Sequence, residues 1–459
     1  MNQPVNRRLH SPGKAPKKAP KIVDVDIVDM AEDGFAEGTA EGRQVRVKGA
    51  LPGERVVVRI IKRRKGIWWG IPESTAGGAV TACSAFHRCG GCAMQQLDAA
   101  AQLDHKQRLV LKALQAHGVQ PERIAAPVYG PRLHYRRKAR LGGRYLADKQ
   151  EFLLGFRESF GSRVARLDTC PVLAEPFSAL FAELKNLLGA MPARADLPQI
   201  EIASGDDGAS LALRHLAALS QRDLELLGAF ERTSGIQILL QSGGYDTLVR
   251  LDGAPERALS YRLDEFGVCI SFQIGDFVQV NERVNQRLVS AALALLKPTP
   301  GEHVLDLFCG LGNFTLPIAR HGAEVVGIDG SAHMIARAVA NAKRNRLGHR
   351  LRFLGADLYD QAQRGTASKE PFGKPFGEPF GEPFDKVLVD PPRSGCGIAL
   401  ALLTAPRVGR VIYVSCHPES FAADAARLRA QGFDLKRLGL FDMFPHTAHV
   451  ETLAVFERR

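Results

Sequence analysis

Cysteine, aspartate and glutamate are the residues of this chain whose spacing points to chemistry. Val414-Ser415-Cys416-His417-Pro418 puts a lone cysteine just past an apolar run, and Asp390-Pro391-Pro392-Arg393 lies upstream. A side chain at the carboxyl end of a strand in an open α/β sheet sits where such sheets hold their ligands, so Cys416 is a candidate nucleophile. On its type alone an unpaired cysteine reads as core packing. Three further signals argue against that reading.

The first is Val304-Leu305-Asp306-Leu307-Phe308-Cys309-Gly310-Leu311-Gly312-Asn313-Phe314-Thr315, an apolar strand entering a glycine-spaced turn and then a helix pattern. Glycines there let the backbone turn sharply and approach a ligand. Glu324 to Asp329 reads as a second strand ending in an acid about twenty residues on, the usual place for a ribose contact. Ser331 then caps a helix with Ile335, Ala338, Val339 and Ala342 on its apolar face. The turn lacks the third glycine of the dinucleotide fingerprint, which favours a cofactor without phosphates, such as S-adenosylmethionine. Asp306, Asp329, Asp357 and Asp390 at strand ends would suit a cationic, ribose-bearing ligand and repel a pyrophosphate. Further strands are expected at 351–354, 386–389 and 410–414.

These motifs resemble those of the RNA uridine-C5 methyltransferases, which carry DLFCGxGxFTxP, DPPR and SC-P in this order. The resemblance extends to Asp276-Phe277-Val278-Gln279-Val280-Asn281 and to His446-Thr447-Ala448-His449-Val450-Glu451. It implies an S-adenosylmethionine-dependent enzyme with Cys416 as the thiolate that adds to C6 of uracil and Glu451 as the base that removes the C5 proton. On spacing alone Glu451 reads instead as an exposed charge ahead of a last strand, Thr452 to Phe456. The same resemblance makes Gln279, Phe308, Asn313, Asp329, Asp357 and Asp390 cofactor contacts, with Asp329 and Asp357 the looser matches.

The second signal is cysteine spacing. Cys83, Cys89 and Cys92 form C-x5-C-G-G-C, and Cys170 follows in Asp168-Thr169-Cys170-Pro171. Three close thiols plus one distant thiol before proline suit a four-sulfur metal site. The first gap is too long for the usual zinc pairs. The pattern resembles the 4Fe-4S site of a subset of the same family. Cys269, Cys309 and Cys396 read as packing.

The third signal is charge. With 61 Lys plus Arg against 49 Asp plus Glu, a net +12, the 459-residue chain suits a polyanionic partner. Residues 1–20 are expected to form a disordered basic tail, with no apolar segment of a signal peptide. Residues 21–80, with short alternating runs between glycine turns, are expected to form a small β-barrel. Lys62 to Lys65 followed by Trp68 and Trp69 supply charge beside stacking surface for single-stranded RNA. The segment resembles the OB-like TRAM domain.

Residues 81–265 are read as a central α+β domain carrying the iron-sulfur cysteines. RNA-contact candidates there run from His134 to Arg140, then Phe156, Arg157, Arg163 and Arg166. A helix from Gln95 to Gln115 leaves its boundary open. Residues 266–459 are read as a Rossmann-like methyltransferase domain, interrupted by a Pro-Phe-Gly repeat at 366–384 that should loop out. The fold class is therefore α/β with an N-terminal barrel. No apolar run is long enough to span a membrane.

The barrel and cysteine cluster together resemble the family members that act on 23S ribosomal RNA, at a single uridine in a loop or single strand, in the cytoplasm and as a monomer. A transfer RNA T-loop methyltransferase and a non-catalytic RNA-binding assembly factor are the alternatives.

Overall fold

The computed structural model describes residues 20–73, 81–359 and 384–459. The expected basic tail therefore lies outside the described residues but for its last position, as does the Pro-Phe-Gly repeat apart from Phe384. The chain divides into two compact units, one holding the barrel and one running from Ala79 to Arg459.

In the first unit β1 (Ile22–Met30), β2 (Ala36–Ala40), β3 (Arg43–Val47), β4 (Arg55–Arg64) and β5 (Ile67–Pro72) close in the order β1-β2-β3-β5-β4. Period-two alternation drives this closure, since Val23, Val25 and Ile27 are buried while their neighbours in β1 face out. The same alternation corrects one expectation. Trp68 points inward and is 6% exposed, so it packs the barrel and offers no stacking face, whereas Trp69 is half-buried. Lys21 and Arg63 cover the Trp68 ring at 4.5 and 5.0 Å.

The second unit begins with α1 (Ala99–Ala116), capped by Asp98, whose carboxylate accepts from the Ala101 amide at 2.8 Å. A six-stranded sheet follows, built from β6 (Lys138–Leu146), β7 (Glu151–Gly155), β8 (Gln199–Ser204), β9 (Ala209–Arg214), β10 (Gln237–Gln241) and β11 (Leu248–Arg250) in the order β11-β10-β9-β8-β6-β7. Helices α2 (Phe181–Ala190) and α3 (Gln221–Ser234) join its strands. A two-stranded ribbon, β12 (Leu259–Leu263) with β13 (Val268–Phe272), leads to α4 (Glu282–Leu296).

The last part alternates strand and helix: β14 (His303–Leu307), α5 (Thr315–Arg320), β15 (Glu324–Asp329), α6 (Ala332–Arg344), β16 (Leu351–Gly355), β17 (Lys386–Val389), α7 (Leu400–Leu403), β18 (Arg410–Ser415) and α8 (Pro418–Ala430). Two antiparallel strands, β19 (Phe433–Phe441) and β20 (Glu451–Arg458), complete a seven-stranded sheet ordered β16-β15-β14-β17-β18-β20-β19. The five strands from β16 to β18 are mutually parallel, and chain order reverses between β14 and β17. That reversal opens a crevice at the strands' carboxyl ends, the place such sheets bind ligands. Val387, Val389, Val411 and Tyr413 are fully buried, as strands covered on both faces require.

Helix α1 settles its own allegiance. Val110, Ala113 and Leu114 share a core with Leu305, Tyr413, Phe421 and Phe456, so this helix packs with the C-terminal sheet. Among the described residues no helix is long and apolar enough to cross a membrane.

Candidate active site and cysteine cavity

Three strand ends meet at the candidate site. Asp390 follows β17, where its amide donates to the Leu307 carbonyl at 3.2 Å, and Pro391-Pro392 then end the strand. Cys416 follows β18 directly and precedes α8, whose cap is His417 and whose first residue is Pro418. Glu451 opens β20, pairing with Phe441 on one side, while Thr452 pairs with Ser415 on the other. The Thr452 hydroxyl also donates to the Ser415 carbonyl at 3.2 Å.

Glu451 is 2% exposed, which overturns its reading as a surface charge: β20 runs between β18 and β19 and is not an edge strand. One carboxyl oxygen, Oε1, is buried with no partner among the described residues. Burial, and secondarily Asp390, hold the Glu451 carboxyl well above the usual carboxylate range. Burial pushes Asp390 up to about 7. Burial also pushes the Cys416 thiol up to about 11, with Glu451 and Asp390 adding to the rise and Arg393 opposing it. All three groups are thus shifted toward their protonated forms, Asp390 least in effect at neutral pH, because one low-dielectric pocket disfavours every added negative charge.

The cofactor-facing end is built by the turn after β14. Phe308, Gly310 and Gly312 all take positive φ, at 60°, 53° and 93°. A Cβ on Gly312 would lie 2.0 Å from the Leu316 side chain, so that position demands glycine. Asp329 organises the turn from β15, accepting from the Gly310 amide at 3.0 Å through Oδ2 and from the Ser331 amide at 2.8 Å through Oδ1. Phe308 packs its ring 5.8 Å from that of Tyr359. Asp357 lies exposed beyond β16 and accepts from the Tyr359 amide at 2.8 Å. Gln279 is half-buried in the loop between β13 and α4.

Asn313 has contacts beyond its sequence reading, and Asp306 departs from its own. Asn313 exchanges two 3.0 Å hydrogen bonds with Asn285 and accepts from the Tyr261 hydroxyl at 2.9 Å, so its side chain braces the turn against α4 and β12. Asp306 does not present itself to a cationic ligand. It lies within β14, fully buried, and the Thr315 hydroxyl donates to its Oδ2. Burial pushes it to about 8, so it is largely protonated at neutral pH. Sequence gave no sign of Tyr261 or Asn285, which sit in elements carrying no motif.

Far along the chain from Cys416, the expected metal ligands converge. Cys83, Cys89, Cys92 and Cys170 line one cavity with Phe86, Phe156, Leu167 and Val172. Cys89 Sγ accepts from the Gly91 amide at 3.4 Å, and a Cβ on Gly91 would meet the Phe156 ring at 2.7 Å. Burial pushes the Cys170 thiol to about 12, and the other three sulfurs raise it further. None of the eight cysteines is in a disulfide. Among the described residues no three His, Cys, Asp or Glu side chains close on the position of a single metal ion. Four cysteines lining one apolar cavity have the donor chemistry that an iron-sulfur site would use.

Residues 98–459 match the family described as tRNA (uracil-5-)-methyltransferase. The chain belongs to this family. Among curated relatives, the 23S rRNA (uracil(1939)-C(5))-methyltransferase RlmD of Hahella chejuensis is 39% identical, over 96% of this chain and 99% of the relative. The protein of the same name from Azoarcus sp. (strain BH72) is 40% identical over 94% and 99%. Among solved structures, the Pyrococcus abyssi tRNA (uracil-54, C5)-methyltransferase in complex with S-adenosyl-L-homocysteine superposes with a TM-score of 0.69, covering 95% of this chain and 99% of that one at 23% identity. That likeness confirms the α/β architecture with its N-terminal barrel.

Proposed function

We propose that the protein methylates C5 of a single uridine in 23S ribosomal RNA, of the kind named for its relatives at position 1939, in the bacterial cytoplasm. The observation that carries the chemistry is the meeting of Cys416, Glu451 and Asp390 at the sheet's carboxyl edge. The near-full-length match to relatives named for 23S rRNA supports the substrate.

Uracil C5 is a weak nucleophile until a thiolate adds to C6. In this reading Cys416 gives up its proton to solvent, its sulfur bonds to C6, and the displaced electron pair moves onto the ring to make C5 nucleophilic. S-adenosylmethionine would supply an electrophilic methyl group, held by Gln279, Phe308, Asn313, Asp329, Asp357 and Asp390, with Asn313 also bracing the turn. Glu451, which must first have lost its own proton to solvent, then takes the C5 proton as a carboxylate, and the C–H electron pair restores the ring double bond as the C6–S bond breaks and frees Cys416 as a thiolate. Ring attack needs both faces of the base free, so the uridine must leave its stack.

A positive charge beside the pocket favours ionisation of its acids, so a bound sulfonium would help release the Cys416 proton. Cys83, Cys89, Cys92 and Cys170 would hold a 4Fe-4S cluster, with no step of the methyl transfer passing through it. The family description and the solved relative both name transfer RNA, which makes that the second reading. Labelled methyl transfer to 23S rRNA and to transfer RNA from cells lacking the protein, followed by nuclease mapping, tests both. Label in one 23S uridine is expected; label in transfer RNA alone would transfer the reaction to that substrate.

A further inference from the structure

The ten residues leading into Glu451 are held by a buried polar network whose centre lies outside every motif. Its centre is Gln102, fully buried on α1. The Gln102 side-chain amide nitrogen donates to the Met94 carbonyl at 2.7 Å and the Leu97 carbonyl at 3.0 Å, and lies 3.3 Å from His446 Nδ1. Its oxygen accepts from the His446 backbone amide at 2.9 Å. One side chain therefore joins three segments: the stretch after Cys92, helix α1, and the turn before β20.

The cysteine loop grips the same turn directly. The amides of Ala93 and Met94, next in chain to Cys92, both donate to the His446 carbonyl, at 2.7 and 3.0 Å. The Tyr135 hydroxyl donates to the Pro445 carbonyl at 3.1 Å. One turn along α1, the Lys106 ammonium bonds the Asp442 carboxylate at 2.6 Å and the Phe444 carbonyl at 2.9 Å.

His446 is held at φ +65°, a conformation a non-glycine residue keeps only when its surroundings impose it. Both its backbone amide and its backbone carbonyl are fixed from outside, five residues before Glu451. Such over-determination far exceeds what is needed to close a surface loop. It is what a carboxylate needs if it must meet a ring proton at a set place, since misplacement by about 1 Å costs on the order of 100-fold in rate.

We propose that Gln102 is a positioning residue for Glu451: its amide pins the His446 turn to the loop that follows Cys92, and so fixes where the carboxylate heading β20 stands. The inference rests on Glu451 as the base that takes the C5 proton. It gives the cysteine cavity a concrete link to the reaction, as an anchor for that base.

The test uses the full-length protein and RNA carrying 5-deuterated uridine at the target. Gln102→Met keeps length and volume but can neither donate nor accept. Removal of the C5 proton should become rate-limiting, so turnover falls by roughly 10- to 100-fold. C5 deuteration then slows the variant more than the parent, and a denaturation-resistant protein–RNA adduct accumulates while RNA affinity holds. The isotope effect is a ratio, independent of how much protein is folded. Gln102→Glu, which keeps the acceptor for the His446 amide, should fall between the two, and it decides the question if the Met variant folds poorly. An unchanged isotope effect with no adduct in either variant overturns the proposal. Glu451→Gln, run alongside, separates the two ideas. If it accumulates adduct and the Gln102 variants do not, only the positioning role fails; if it does not, the base assignment fails and takes the proposal with it.

Discussion

Cys416 and Glu451 occupy facing positions one step beyond the Ser415–Thr452 pair, the last in the antiparallel ladder between β18 and β20. Residues opposite each other in such a ladder project to the same face with their Cβ atoms about 5 Å apart. The proposed nucleophile and the proposed base thus stand at adjoining ends of β18 and β20. Shifting β20 by one residue would send Glu451 to the opposite face.

Cys416→Ala should abolish methyl transfer and leave S-adenosylmethionine binding within about twofold, because the thiol serves the ring and not the cofactor. Calorimetric titration of the variant, beside a single-turnover assay with labelled methyl donor, checks both halves. Methylated product at the parental rate would remove Cys416 from the mechanism.

The raised thiol gives a pH dependence of definite sign. Alkylation requires the thiolate, and with the Cys416 thiol near 11 the thiolate fraction grows by about tenfold per pH unit across the neutral range. Iodoacetamide labelling of Cys416, followed by peptide mass mapping, should climb steadily from pH 7 to 9 without levelling. A plateau already at pH 8 would mean that the pocket lowers the thiol instead.

Lys106→Met should cost about 3–5 kcal/mol of stability, since it strands Asp442 as a buried, uncompensated carboxylate. Denaturant titration reads this directly. Adding Asp442→Leu to Lys106→Met should recover most of the loss, as replacing both members of a buried pair often does.

Cys89→Ser should lower bound iron and the visible absorbance of the purified protein together, and should expose Cys92 and Cys170 to alkylation. Iron analysis and thiol mapping under anaerobic purification measure these. Full iron retention would displace Cys89 from the ligand set.

The parallel sheet was legible in the chain because strands covered on both faces are written as unbroken apolar runs, as in Lys386 to Val389 and Arg410 to Ser415. The cysteine cavity was legible too, since C-x5-C-G-G-C leaves a spacing that few other needs produce. Glu451 was not legible from spacing. An acid ahead of a last strand reads as solvated, and the spacing does not show that β20 is inserted between β18 and β19, where Glu451 is buried. Asp306 misled for a related reason: period-two alternation turns it inward to Thr315, and counting strand ends ignores face. Gln102 and Lys106 left no trace because an isolated glutamine and lysine on a helix are indistinguishable from surface residues until the facing segment, more than 300 residues away, is in place.

The protonated state of the Cys416 thiol also bears on survival in aerobic cells. Peroxide attacks thiolates, and the ladder from sulfenic to sulfonic acid starts only there. A nucleophile that keeps its proton while the pocket is empty is a poor target for oxidation. The burial that makes Cys416 slow to ionise thereby slows its oxidation as well.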